Sequence, residues 1–317
     1  MTVHPLAMLN RTTLIIASLA IASPALAHEG PRFWLSQSGG KLALLTSDDD
    51  YEPQTYFPSS VFFTAFDEFD NTGFGPTPLK TTLFPGFETR RDGVSGIANG
   101  TVIGFSLAGP LLKLNAAGTA LAPSTTEQLE ITLGGVAALT STGVAPGYNF
   151  MIAGPGEHGH LTFTLRGDGV TPGGGSDGVY VLPLRATSPT LATSDWVYLI
   201  LQSNNTAAQR VQAATIANRM ATARPGDANF DGTVNFDDLL ILAANYNRPT
   251  GRWWGTGDFD FDGATSFDDL LKLAASYNTS AGAWSLAQTP IPEPAVLIAS
   301  VSCTALALRR VRIKHHA

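Results

Sequence analysis

The feature that most limits how this chain can fold is a stretch written twice. Residues 226–247 (GDANFDGTVNFDDLLILAANYN) and 257–278 (GDFDFDGATSFDDLLKLAASYN) are identical at 15 of 22 positions with an offset of 31. Such an internal repeat specifies two copies of one small structural unit. Each copy opens D-x-[ND]-x-D-G and reaches an aspartate at its twelfth position. The first copy places Asp227, Asn229, Asp231, Gly232 and Asp238 there, and the second Asp258, Asp260, Asp262, Gly263 and Asp269.

That spacing has a chemical cause. A hard dication such as Ca2+ takes about six to eight oxygen ligands, and a coiled loop turns its first, third and fifth side chains inward. Glycine at the sixth position allows the sharp turn, because it tolerates a positive φ. The seventh residue, Thr233 or Ala264, offers a main-chain carbonyl, and the ninth, Asn235 or Ser266, acts directly or through water. The twelfth residue lies on the first turn of the following helix and closes the shell. Two calcium sites are therefore expected. Behind each loop runs an apolar helical stripe, Leu239, Leu240, Leu242, Ala243, Tyr246 and Leu270, Leu271, Leu273, Ala274, Tyr277, expected to pack the two helices together. No amphipathic helix directly precedes either loop, so the unit is loop–helix.

This duplicated loop–helix, over residues 225–280, resembles the type I dockerin domain, a small α-helical module with two EF-hand-type loops. The twelfth-position aspartates agree with dockerins. The resemblance implies reversible calcium-dependent folding and docking to a cohesin-like or other surface protein through the helix faces. At loop positions 10 and 11, where many clostridial dockerins carry small hydroxyl pairs, this chain has Phe236-Asp237 and Phe267-Asp268. Trp253 and Trp254, between the copies, are expected to clamp the two halves rather than stack on a sugar.

Both ends of the chain read as addresses. Arg11, the apolar run 13–22, Pro24 and Ala25-Leu26-Ala27 form the three parts of a secretory signal over 1–27, to be removed by signal peptidase. At the other end, Pro292-Glu293-Pro294 precedes the apolar run 295–308 and then Arg309, Arg310, Arg312 and Lys314. That run of 14 residues spans roughly 21 Å as a helix, short against a hydrocarbon core of roughly 30 Å. Residues 292–317, after a linker at 281–291, resemble the PEP-CTERM sorting signal of Gram-negative bacteria, which an exosortase removes. A retained tail anchor is the alternative. The expected location is the cell surface, outer envelope or extracellular matrix.

Composition narrows the function. The only cysteine, Cys303, falls in the sorting segment, so an intrachain disulfide framework is excluded. Setting aside Arg11, Arg309, Arg310, Arg312, Lys314 and Glu293 leaves 14 basic against 25 acidic residues in 28–291, a net charge of −11. So acidic a chain is no nucleic-acid binder.

The larger part, 28–204, is expected to be mainly β, an antiparallel β-sandwich. Short β-type runs at 32–35, 41–45, 60–66, 101–107, 128–133, 161–166, 178–187 and 196–202 are separated by Gly, Pro, Asn and Ser turns. Residues 206–223, Ala-rich and free of Gly and Pro, predict a helix within a linker at 205–224. The run from Gly156 through His158 and His160 to Phe163, followed by Gly178-Val179-Tyr180, is loosely similar to surface-anchored repeats of actinobacteria, secreted β domains.

Three histidines remain outside the terminal segments: His28, His158 and His160. An H-x-H on a strand turns both imidazoles to one face, and His28 would offer an imidazole beside a free α-amine, so Zn2+ or Cu2+ is a second candidate ligand. H-E-x-x-H and the P-loop are both absent from the sequence. Asp48 to Asp50, Glu52, Asp67, Glu68 and Asp70 read as solvated loop charges rather than a glycosidase pair. The leading expectation is an exported, non-catalytic attachment protein with a calcium-binding docking module, with a polysaccharide matrix as a further candidate partner. A transition-metal-binding protein is the alternative and a polysaccharide-acting hydrolase the third.

Overall fold

Alternation of apolar side chains at period two decides the architecture of the larger part. The structure, a computed structural model, describes residues 32–47, 56–58, 60–65, 67–69, 79–83, 85–89, 95–133, 137–154, 157–167 and 175–280. The segments 1–27, 281–291 and 292–317, together with His28, Asp48 to Asp50, Glu52 and Asp70, lie outside the described residues.

The chain begins with β1 (Arg32–Ser38), β2 (Lys41–Ser47), β3 (Tyr56–Pro58), β4 (Val61–Ala65) and β5 (Asp67–Phe69). Then come β6 (Leu79–Thr82), β7 (Gly86–Thr89), β8 (Val102–Pro110), β9 (Leu112–Leu114), β10 (Leu121–Pro123) and β11 (Gln128–Leu133). β12 (Ala137–Thr140), β13 (Thr142–Ile152), β14 (His158–Gly159), β15 (Thr162–Arg166), β16 (Gly178–Thr187) and β17 (Val197–Ser203) complete the β body. Three sheets result: β14-β7-β1-β2-β3, β12-β11-β15-β6-β5, and a central one in which β16 pairs with β17, β8 and β9. The body is mainly β, as expected, but not purely antiparallel. β1 runs parallel to β7 and β17 parallel to β4, because each of these partners is separated by a long excursion that brings the chain back in the same direction.

Residues from all three sheets meet in one apolar cluster that includes Phe33, Phe87, Leu129, Phe163, Leu182 and Leu199. Its aromatic centre is dense, with ring centroids 4.2 Å apart for Phe33 and Phe62, 4.8 Å for Phe33 and Phe87, and 4.7 Å for Phe87 and Phe150. The continuous apolar runs of β16 and β17 are explained by burial on both faces. Tyr180, Leu182 and Leu184 enter this cluster, whereas Val179, Val181, Tyr198 and Ile200 face a second one.

The second cluster is closed by α1 (Ala207–Thr222), which lays Ala213, Ala214, Ala217 and Met220 on the central sheet. Small residues let the helix approach closely. Thr206 caps it, its side chain accepting from the Gln209 amide while the Thr206 amide donates to Gln209 Oε1. The linking helix therefore also covers the sheet. Beyond it come β18 (Thr233–Val234), α2 (Phe236–Asn245), a 3-10 turn at Trp254–Thr256, α3 (Phe267–Ser276) and β19 (Thr279–Ser280). Trp253 from this last part sits in the second cluster with α1. Among the described residues no helix is long and apolar enough to cross a membrane.

One buried polar group ties the body together. Glu127, 6% exposed, accepts from Lys113 Nζ at 2.6 Å and from the hydroxyls of Ser124, Thr126 and Ser176. Burial alone would raise its carboxyl, but these donors outweigh that and hold it well below the usual range. Lys113 correspondingly stays protonated, so the Ser176–Lys113 contact is a structural link and not a nucleophile with its base.

The core reading predicts that Phe87→Ala lowers the unfolding free energy by about 3–5 kcal/mol in a urea titration. A loss under about 1 kcal/mol would place Phe87 outside the cooperative core.

Candidate metal centre

The duplicated sequence folds into duplicated geometry. In the first loop Asp227 Oδ1 accepts the Asp231 amide at 3.1 Å and Oδ2 the Gly232 amide at 3.0 Å. In the second, Asp258 Oδ1 accepts the Asp262 amide at 3.2 Å and Oδ2 the Gly263 amide at 2.9 Å. These bonds coil the loop around its first residue. The sixth-position glycines take φ of 89° and 87°, the left-handed turn expected of them. At the fifth position, Asp231 and Asp262 each accept the seventh-residue amide at 2.8 Å.

The helix starts are duplicated too. Asn235 and Ser266 cap α2 and α3, accepting the amides of Asp237 and Asp268 at 2.7 and 3.1 Å. The twelfth-position carboxylates complete the capping boxes, with Asp238 Oδ2 on the Asn235 amide and Asp269 Oδ2 on the Ser266 amide. Their other oxygens reach back into the loops, Asp238 Oδ1 to the Ala228 amide at 2.8 Å and Asp269 Oδ1 to the Phe259 amide at 2.7 Å. Asp238 and Asp269 are both fully enclosed.

Ligating oxygens of Asp258, Asp260 and Asp262 all lie within 4.8 Å of one another, and this is the one such group among the described residues. In the first loop Asn229 stands where the second has Asp260. Its Nδ2 donates to Asp231 Oδ2 at 2.9 Å, so one charge of the set is replaced by an amide. Burial pushes the Asp227 carboxyl up to about 6 and Asp258 up to about 7, and the neighbouring carboxylates add to both shifts while the loop amides oppose them. Asp260 is raised as well, by burial and then by Asp269 and Asp262. Enclosed like charges of this kind are costly by themselves and fit a hard cation that oxygen ligands satisfy.

The two loops also hold each other. Val234 of the first pairs with Thr279 beyond α3, and Thr265 of the second bridges Arg248 beyond α2. A Cβ on Gly226 would come 3.1 Å from the Leu273 Cα, and one on Gly257 3.1 Å from the Leu242 Cα, so each loop entrance abuts the other copy's helix. The expected helix stripe needs correcting. Leu242 and Leu273 are buried, but Leu240, Ala243 and Tyr246 with Leu271, Ala274 and Tyr277 are exposed, because each helix turns only a narrow line onto its neighbour.

Of the two tryptophans expected to clamp the halves, Trp254 does so, its Nε1 donating to the Asp227 carbonyl at 2.7 Å and its ring centroid lying 5.3 Å from that of Phe259. Trp253, 7% exposed, packs instead into the cluster with α1 and the central sheet. Of the histidines, His158 lies on β14 opposite Glu88 of β7, and His160 follows the strand. Their ring centroids are 5.4 Å apart at 80°, and His160 Nδ1 is 3.0 Å from the Leu83 carbonyl oxygen. The pair is brought together, although no group of three ligating side chains forms around it among the described residues. The sequence reading missed Phe230 and Phe261, whose identity at the fourth position of both copies was the available signal.

No protein-family model matches the chain, and no curated protein matches it either. Among solved structures, the CooA pilin subunit from enterotoxigenic Escherichia coli aligns at 11% identity and a TM-score of 0.22, over 46% of this chain and 91% of that one. A family 123 glycoside hydrolase from Clostridium perfringens, which acts on glycolipid glycans, aligns at 10% identity and a TM-score of 0.20, over 47% of this chain and 24% of that one.

The raised carboxyls set a pH dependence. Between 3.8 and about 7 the cation-free fold holds more protons at Asp227 and Asp258 than the unfolded chain, so their contribution to stability falls as pH rises through that window. A bound cation favours the ionised forms, so binding must release protons. Calorimetric titration of Ca2+ is expected to give weaker binding at pH 6 than at pH 8, with an enthalpy at pH 6 that depends on the buffer's ionisation heat. Equal affinities and buffer-independent heats would contradict these shifts.

Proposed function

We propose that this chain is an exported, surface-associated, non-catalytic protein. Its β-sandwich body carries a dockerin-like module with two calcium sites, and that module attaches the protein to a cohesin-like surface partner. The first site uses Asp227, Asn229, Asp231, the Thr233 carbonyl and Asp238, with Asn235 at the ninth position. The second uses Asp258, Asp260, Asp262, the Ala264 carbonyl and Asp269, with Ser266 at the ninth. When bound, Ca2+ supplies the countercharge that lets these carboxylates stay ionised and enclosed. The second loop, with one more anionic ligand, is the tighter site. Export through a signal at 1–27 and sorting through 292–317 would deliver the module to the envelope or matrix.

One observation carries the attachment reading. Six of the nine large hydrophobic side chains exposed among the described residues are Phe236, Leu240 and Tyr246 and their repeat equivalents Phe267, Leu271 and Tyr277. Scattered exposed apolar residues are ordinary, but the same three positions exposed in both copies form a duplicated apolar surface. Asp237 and Asp268 border it at the helix starts. The sharing of one apolar cluster by three sheets supports the sandwich description of the body.

Retention on the exporting cell tests this reading. Washing with a calcium chelator is expected to release the protein, Asp227→Ala/Asp258→Ala to reduce its retention, and Leu240→Asp/Leu271→Asp to release it even with Ca2+ present. Retention indifferent to all three would contradict the proposal.

A further inference from the structure

The fourth residue of each loop does something that partner docking does not require. Phe230 and Phe261 stand between the third and fifth loop positions with φ of 59° and 60°. That left-handed conformation is uncommon for a bulky residue and persists only where its surroundings hold it. The Phe261 ring centroid lies 4.6 Å from that of Trp196 and 5.3 Å from that of Trp254. Trp196 belongs to the β body, immediately before β17, and the Arg185 guanidinium carbon is 4.2 Å from its ring centroid. Arg185, on β16, in turn donates from Nε to Ser106 Oγ on β8 at 3.2 Å. At the other end, Trp254 binds the main-chain carbonyl of Asp227 in the first loop. A continuous line of contacts thus runs from Ser106 through Arg185, Trp196, Phe261 and Trp254 to both loops.

A second line lies beside it. The Phe230 ring centroid is 6.1 Å from that of Trp253. Trp253 fits where Gly109 of β8 carries no side chain, since a Cβ there would come 3.2 Å from the Trp253 Cβ. On the neighbouring β13, Val144 Cβ would be 3.8 Å from a Cβ on Gly263.

We propose that calcium loading fastens the repeat onto the β body through the Trp196–Phe261–Trp254 line, so that loop occupancy and the contact between the two parts are coupled. The inference rests on the calcium reading above. Phe261 is flanked by Asp260 and Asp262, whose carboxylates must converge on the ion. Their convergence fixes the backbone at 261 and with it the direction of the ring. Linkage makes the effect reciprocal, so loss of the ring contact must weaken ion binding.

The test uses the full chain and two readouts, Ca2+ titration by calorimetry and hydrogen exchange of Val102–Pro110 and Thr142–Ile152 in Ca2+ against chelator. Ca2+ is expected to slow exchange in both strands as well as in the loops. Trp196→Ala should abolish the strand protection and weaken Ca2+ binding by about fivefold or more. Phe261→Leu, which keeps an apolar side chain, serves as the second variant should Trp196→Ala fail to fold, with the same expectation in weaker form. Calcium binding with loop protection but unchanged strand exchange would overturn the coupling while leaving the calcium sites intact, as would wild-type affinity in the folded variants. Absence of any Ca2+ binding to the wild type would overturn both.

Discussion

Everything in the C-terminal part of the structure hangs on two enclosed carboxylates, Asp227 and Asp258. They are 2% and 0% exposed, and each gathers two loop amides onto its oxygens. Those bonds form the turn, but they enclose charge beside charge, and burial lifts both carboxyls far above their ordinary value. A fold that encloses an acid to shape a loop must either protonate it or supply a cation. At neutral pH the second solution suits the neighbouring carboxylates as well.

From that constraint the rest of the repeat follows. The loop delivers the chain to an N-cap, the cap starts a ten-residue helix, and the twelfth-position aspartate closes both ends of the arrangement. Neither copy is complete alone, since each loop entrance rests against the other's helix and each short strand pairs with the other's exit. The narrow mutual contact leaves the outer helix faces uncovered, which makes them available for recognition. The inner faces, through Leu242 and Leu273, pack with Ala228, Val234 and Phe259 of the repeat, while Trp253 of the connector goes to the cluster with α1 and the central sheet.

Much of this was legible in the sequence because it is local. The repeat register, the sixth-position glycines and the caps depend on residues within a dozen positions of one another, and the helix predicted over 206–223 appears as Ala207–Thr222. The two-sided burial of β16 could be read from its unbroken apolar run. What sequence reasoning could not reach is long-range. The parallel pairings of β1 with β7 and β4 with β17 depend on how distant segments return. The apolar residues Leu239, Leu240, Leu242, Ala243 and Tyr246 are spread around most of the helix, so the 3.6-residue period does not select which line turns inward, and only the partner helix chooses Leu242. Trp196 carried no local signal of its contact with a loop 65 residues away.

On the proposed function the two loops are ion-binding sites and not merely acidic turns. Native mass spectrometry of the full chain in excess Ca2+ measures this most directly. Two bound ions per chain, falling to one in Asp258→Ala and restored to none in chelator, is the predicted result. A wild-type chain that carries no stoichiometric calcium would contradict it.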